Sequence, residues 1–528
     1  MIPLSRRASA VCAPALWGLL LALNTGCNPD KLTDTDSRSS QDTPDFKRTR
    51  PGKPGSTTGN LRVSPDSAVL VPQQVQQFGA TFTAGGSTAP IAVTWKATGG
   101  TIDSAGVFTA GAVSGSFQVI GTDPATATAD TAPVVIKGAA TPIDTGTTEA
   151  LTSPCGTGAA VVPIRVGESW QSKVNASPAG TIFCIDAGTH HRQTVVPKSG
   201  NQFWGAGVRQ TIMDGDSVTT YAFRAPTTPY PSNVGIHNLV IRRYIPALQA
   251  AAVMAGAGSS SNATRGWVIA DNEITANGGG GIRIGTKTQV LRNKVHHNWQ
   301  IGIAGVGDST LVEGNEIAYN NYLKGVSYGW EAGGTKFVKT RGLVVRNNYV
   351  HHNWGPGLWT DIDNINTLVE SNRVIGNADQ GIFHEISYAA VIRNNTVQGN
   401  GFDRSSWLWG AGIMVAASPN VEVYGNTVSG NFNGIAAVQQ NRGSGAYGTH
   451  LVKNLYVHDN TVDVTKGGRS GVAQDIGDTN VFSSWNNRFV HNTYLLGTNT
   501  KPFEWMNGQR TEVQWKGYGQ DLSGTFSR

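Results

Sequence analysis

The chain has 528 residues, of which only 14% are charged and 39% hydrophobic, with 66 glycines, 14 tryptophans and a formal net charge of +6. Charge that far below the usual ~25% excludes a coiled coil, and the apolar and aromatic content excludes wholesale disorder. The small net charge, without a long Lys/Arg cluster in the body of the chain, argues against a nucleic-acid partner.

In chain order, Arg6 and Arg7 precede an apolar stretch from about Ala8 to Leu23. It is too short and wrongly flanked for a spanning helix and reads as an export signal. Leu23-Asn24-Thr25-Gly26-Cys27 resembles the end of a bacterial lipoprotein lipobox, with Asn24 at the position usually taken by Leu. The resemblance implies a signal peptide over 1–27, lipidation of Cys27, and an outer-membrane or cell-surface lipoprotein. A plain secretory signal is the alternative. Past the signal region only Cys155 and Cys184 remain, and in an oxidising compartment an even pair predicts a disulfide. It closes a 29-residue interval (184 minus 155), worth ~3 kcal/mol in the loop-entropy picture. Residues 28–60 carry Asp, Ser, Thr, Pro, Lys and Arg with almost no large apolar residue, so they read as a flexible linker.

Residues 61–137 hold short alternating runs such as Val93-Thr94-Trp95-Lys96-Ala97 and Phe117-Gln118-Val119-Ile120, separated by turn residues. That spacing predicts a small β-sandwich. Val63-Ser64-Pro65, Val93-Thr94-Trp95 and Gly106-Val107-Phe108-Thr109-Ala110 resemble bacterial Ig-like domains, which implies a spacer or weak binding module. A linker follows over 138–152.

Residues 153–528 repeat. Asn272, Asn293, Asn315, Asn348, Asn372, Asn395 and Asn426 each follow a short apolar run, and Asn460 and Asn487 are expected to extend the series. Each of the first seven has a second asparagine five places on: Asn277, Asn298, Asn320, Asn353, Asn377, Asn400 and Asn431. Gly281-Ile282, Gly302-Ile303, Gly357-Leu358, Gly381-Ile382, Gly412-Ile413 and Gly434-Ile435 come next in their coils. The steps of 21, 22, 33, 24, 23 and 31 residues fit a solenoid coil of about 22 with insertions on one face. Asparagine tolerates left-handed backbone in turns, and stacked amides can bond along the axis. The pattern resembles the right-handed parallel β-helix of the pectate-lyase-like superfamily, with the stretch from Gly180 to Gly200 similar to a first coil. The expected fold is therefore all-β: a small Ig-like sandwich followed by a large right-handed solenoid. Trp505, Trp515 and Tyr518 cap or extend its end.

Side-chain alternation places a candidate site. In Gly357-Leu358-Trp359-Thr360-Asp361-Ile362-Asp363 and Gly381-Ile382-Phe383-His384-Glu385-Ile386-Ser387, the residues Leu358, Ile362, Ile382 and Ile386 should point inward. Trp359, Asp361, Asp363, Phe383 and Glu385 then face outward, with Asp361 and Glu385 stacked ~4.8 Å apart. Lys336 falls one coil earlier, above Trp359, and His384 takes inward parity as a buried structural histidine unless it joins Glu385 in catalysis. Two adjacent carboxylates repel, so one is raised in pKa or a cation lies between them. The insertions at 321–333 and 401–411 carry Trp330, Glu331, Arg404, Trp407 and Trp409, and aromatic rings beside an acidic strand suit sugar binding.

Two chemistries fit these residues. In a lyase or epimerase acting on an acidic polysaccharide, Lys336 (or Lys339 or Arg341) helps abstract the C5 proton, and calcium on Asp361, Asp363 and Glu385 neutralises the substrate carboxylate. In a glycoside hydrolase, Asp361 and Glu385 are the carboxylate pair. A lipid-anchored adhesin or glycan-binding protein is the non-catalytic alternative. No organic cofactor and no oligomeric assembly are expected.

Overall fold

The computed structural model describes residues 59–70, 75–111, 115–136, 151–156, 160–207, 209–225, 230–256, 264–403 and 407–528. The signal region with Cys27, most of both linkers, and Arg404 lie outside these residues.

The first unit is a set of short strands, antiparallel except where Ala68–Leu70 pairs in parallel with Ala129–Ile136. Asn60–Ser64 pairs with Gly79–Ala84, which pairs with Ser87–Pro90. Ala129–Ile136 pairs along its length with Gly115–Thr122, which in turn pairs with Thr94–Ala97. Alternate residues of these strands (Val63, Val119, Val134 and Ile136), with Phe108 from the strand Val107–Ala110, close over Phe78 in a separate small core. The period of two seen in the sequence is thus the inside–outside alternation of a sheet with one face covered.

The second unit is a parallel solenoid. Among the described residues, two sheets of 13 strands and one of 12 run along it, each strand pairing in parallel with its equivalent one coil on, except that Gly508–Arg510 ends the third sheet antiparallel to Phe503–Trp505. The first begins at Val161–Ile164, one strand ahead of the Gly180–Gly200 segment, because Ile182–Ile185 already has a partner on that side. Inward positions stack like on like: Ile274, Val295, Ile317, Val350, Val374, Val397 and Val428 form one fully buried column. Repeated β-branched residues suit such a column, since each packs on its own kind at strand spacing. Trp170, on the helix Trp170–Ala176, is buried against Phe203 at one end. At the other end Phe503–Trp505 continues the third sheet, and Trp515, on the helix Glu512–Gly517, stacks on Phe503 at 4.6 Å. Tyr518 stays exposed.

The asparagine columns occupy two turns of each coil. Asn348 Nδ2 and its backbone N–H both donate to Asn372 Oδ1 at 3.0 Å, and Asn372 repeats this with Asn395. The same amide donates to a backbone carbonyl, here Val345 at 2.9 Å. Left-handed backbone is not the asparagine's part: the residue before it (Asp271, Arg292, Asn347, Ser371, Asn394) carries φ of 53–60°. After Asn460 the column passes to Asn492 and ends on Asp521, whereas Asn487 bonds Leu455 N–H and the Val452 and Val481 carbonyls outside it. The register decides this, since Val457 pairs with Phe489 and so sets Asn460 opposite Asn492.

The second column runs from Asn277 to Asn431 and explains the glycines. A Cβ at Gly357 would lie 2.6 Å from the Gly381 carbonyl oxygen, 2.7 Å from Val374 Cγ1 and 2.9 Å from Asn377 Nδ2. Gly281 and Gly381 meet the equivalent valine and asparagine. The asparagine amide occupies the space that a side chain at the glycine would need. Asn and Gly therefore recur together.

Cys155 and Cys184 form a disulfide with a Cα–Cα separation of 5.8 Å, joining the start of the solenoid to its strand Ile182–Ile185.

Candidate functional site

The strands Leu358–Asp361 and Ile382–Glu385 lie side by side in the third sheet, pairing Trp359 with Phe383, Thr360 with His384 and Asp361 with Glu385. Leu358 and Ile382 enter the solenoid core. Ile362 and Ile386, expected to do the same, are only half-buried. Their φ values of 57° and 33° put them in the left-handed turn that ends each strand, so alternation stops at Asp361 and Glu385. Beyond the turn, Thr340, Asn364, Ser387 and Ser418 form a third hydrogen-bonded column.

Lys336 lies over Trp359 as the register predicts, its Nζ 4.0 Å from the ring centroid. The ammonium also donates to Asp361 Oδ2 at 2.9 Å and to the Trp330 carbonyl at 2.6 Å. It is buried and held on three sides, so its position is fixed. Of the other two basic candidates, Arg341 bonds Asp308 at 2.9 Å and Lys339 falls in the turn with φ 53°.

Glu385 receives Arg442 Nη1 on Oε1 at 2.6 Å. Burial, and then the neighbouring charge of Asp361, push its carboxyl up to about 7, against the lowering effect of Arg442 and Lys336. The row Lys336–Asp361–Glu385–Arg442 thus sets two acidic side chains next to each other with a basic one at each end. Asp361 Oδ1 and Trp359 Nε1 are buried in it with no hydrogen-bond partner among the described residues.

Arg442 comes from a part of the chain that the sequence did not single out. It lies just ahead of a small hairpin, Ser444–Gly445 with Gly448–Thr449, that folds back onto the site. Asp363 Oδ1 accepts from Ala446 N–H at 3.0 Å and lies 3.3 Å from His450 Nε2, while Tyr388 Oη donates to the Gly448 carbonyl at 2.6 Å. Asp363 is therefore the anchor of the hairpin. Among the described residues, no group of three His, Cys, Asp or Glu is arranged to hold a metal ion. One oxygen each of Asp361, Asp363 and Glu385 already meets a protein donor, which leaves Asp361 Oδ1 as the oxygen without one.

His384 is fully buried, with Nδ1 2.7 Å from Thr360 Oγ1 and Nε2 2.7 Å from the Tyr388 carbonyl. Burial pushes it down to about 4, so it is a neutral core group. Trp359 and Phe383 face outward but are covered: they stack at 5.5 Å beneath Leu408, Trp407 and Trp409, with 3% and 6% exposure. They pack the 401–411 insertion and offer no free ring face. Glu331 is buried against Arg283 at 3.6 Å and Gln249 at 2.9 Å. Trp330 is exposed.

A cleft of about 400 Å³ opens beyond Trp407, lined by Phe402, Phe432, Lys466, Arg469 and Lys501 among others. Lys336, Asp361 and Glu385 do not line it.

Residues 256–411 match a family model described as "Right handed beta helix region". No curated protein matches the sequence. Among solved structures, XylC in complex with xylose is 11% identical, with a TM-score of 0.50, covering 68% of this chain and 82% of that one. The A-module of mannuronan C-5 epimerase AlgE6 from Azotobacter vinelandii is 17% identical, with a TM-score of 0.47, covering 68% and 93%. The family model, the likeness to XylC and the sheet order agree on the architecture: the large unit is a right-handed parallel β-helix.

Proposed function

We propose that this protein is an exported, surface-anchored carbohydrate-active enzyme, a lyase or epimerase acting on an acidic polysaccharide, with Glu385 as the proton-transfer group. The observation that carries the reading is the Glu385 carboxyl, raised to about 7 beside Asp361 and flanked by Lys336 and Arg442. Removing the proton next to a uronate carboxylate needs two things. One is a base that exchanges protons near neutral pH, and the other is positive charge to hold the carboxylate and the enolate-like state that follows. Glu385 supplies the first. Arg442, whose side chain is 35% exposed, supplies the second from the solvent side, with Lys336 behind it. In this reading Asp361 raises Glu385 and fixes Lys336.

A non-catalytic reading has its own support, since every charge in the row is already paired inside the protein. The protein is then a glycan-binding surface protein on an Ig-like spacer, anchored through Cys27. The test is incubation with a panel of acidic polysaccharides, with and without EDTA, using the wild-type chain and Glu385→Gln. Ultraviolet absorbance of an unsaturated product, lost in Glu385→Gln, marks a lyase. Exchange of the C5 proton without cleavage marks an epimerase. New reducing ends without that absorbance mark a hydrolase built on Asp361 and Glu385, whose one-strand spacing suits retention. No turnover of any polymer, with binding kept, sinks the enzyme reading.

A further inference from the structure

The cleft beyond Trp407 is built from equivalent positions on successive coils. Asn433, Arg469 and Lys501 each lie at or just before the start of a third-sheet strand: Asn433–Gln439, Ser470–Gln474 and Phe503–Trp505. Phe402 and Trp407 close the opposite wall. Successive coils thus deliver Lys466 with Arg469, and then Lys501, to one wall ~5 Å apart, and among the described residues no acidic side chain lines the cleft.

Its floor is rigid. Arg469 Nη1 donates to Glu504 at 2.9 Å, its Nη2 to the Trp407 carbonyl at 2.9 Å, and its backbone N–H to Asn433 Oδ1 at 2.9 Å. Its mouth is open. Phe402 is 55% exposed, meets Phe432 edge-on at 6.3 Å, and has Lys466 Nζ 5.8 Å from its ring centroid. Neither Lys466 nor Lys501 has an acidic partner among the described residues. Exposed rings stack on sugar faces, and unpaired ammonium groups attract anions.

We propose that this cleft binds an anionic sugar unit, a uronate or a sulfated residue, at a site separate from the row Lys336–Asp361–Glu385–Arg442. Phe402 and Phe432 receive the ring face, while Lys466 and Lys501 meet the charged group over the fixed Arg469. The polysaccharide class rests on the reading above; the demand for negative charge rests on the cleft alone.

The test is calorimetric binding to the full chain of three tetrasaccharides: one of galacturonate, one sulfated and heparin-derived, and neutral cellotetraose. An anionic probe should bind at least about 10-fold more tightly than the neutral one and weaken with added salt. Preference between the two anionic probes separates carboxylate from sulfate recognition. Lys466→Gln/Lys501→Gln should weaken binding by about 10-fold or more, and Phe402→Ala, at an exposed ring, by about 5-fold. Failure of both anionic probes to bind, equal binding of the neutral one, or an unaffected double lysine variant overturns the proposal. Polymer turnover with unchanged KM in the double variant would remove the cleft and leave the carboxylate row standing. Binding without any turnover would do the reverse.

Discussion

Arg442 donates from Nη1 to Glu385 Oε1 at 2.6 Å across 57 residues of sequence. Glu385 pairs with Ala416 and Ala416 with Val438, so the guanidinium reaches back over two coils to meet it. This contact joins the row's last carboxyl to the hairpin that Asp363 anchors.

Arg442→Gln should therefore destabilise the protein by about 1–3 kcal/mol at pH 7, a buried pair's cost discounted for the partly exposed arginine. The loss should shrink at pH 5, where the Glu385 carboxyl is already neutral. Urea unfolding at the two pH values checks this, and equal losses would count against the pairing.

The Glu385 carboxyl lies higher in the folded chain, at about 7, than in the unfolded one. A raised acid binds its proton more tightly when folded. Its contribution to stability is thus complete below the unfolded value and lost as pH rises through the folded one. Stability should decline between roughly pH 4 and 7 on this account, and Glu385→Gln should flatten that part of the curve. Thermal melts across the range read it directly. An unchanged slope in the variant would show that Glu385 is not the group.

Asn372→Ala removes the acceptor for Asn348 N–H and Nδ2 and the donor to Val345 and Asn395, all buried. Several unsatisfied groups at once should cost about 3–5 kcal/mol. The same change at Asn441, an exposed asparagine outside the columns, should cost under about 0.5 kcal/mol. Comparable midpoints for the two variants would argue that the column is ornamental.

Gly357→Ala brings a methyl group within 2.9 Å of Asn377 Nδ2 and 2.7 Å of Val374 Cγ1. Overpacking of this kind should cost about 2–3 kcal/mol or more. The companion variant Asn377→Ala/Gly357→Ala should lose less than the sum of the two single changes, because the first removes the amide that the new methyl meets. Strict additivity in a double-mutant cycle would refute the shared-space account of the glycines.

Much of the solenoid was legible because a coil repeats the same environment every turn. Asn272 through Asn426 could be set in register from spacing alone, and Lys336 over Trp359 and Asp361 beside Glu385 followed from that register. Where local geometry broke the repeat, reading by alternation failed. The left-handed turn at Ile362 and Ile386 ended the strand early, so Asp363 left the row and joined the hairpin. Asn487 has the residue type but not the register, and Asn492 takes its place.

The periodic positions carried in sequence both the coil and the reason for its composition: asparagine amides fill the turns, and glycine alone leaves them room. Partners that come from insertions were invisible there, because a loop's contacts depend on where its chain folds and not on any period. Arg442 on Glu385 and the cover over Trp359 and Phe383 both arise this way. The repeat builds a neutral scaffold coil by coil, and the chain that departs from the repeat is what folds back to bring charge and aromatic rings together on its surface.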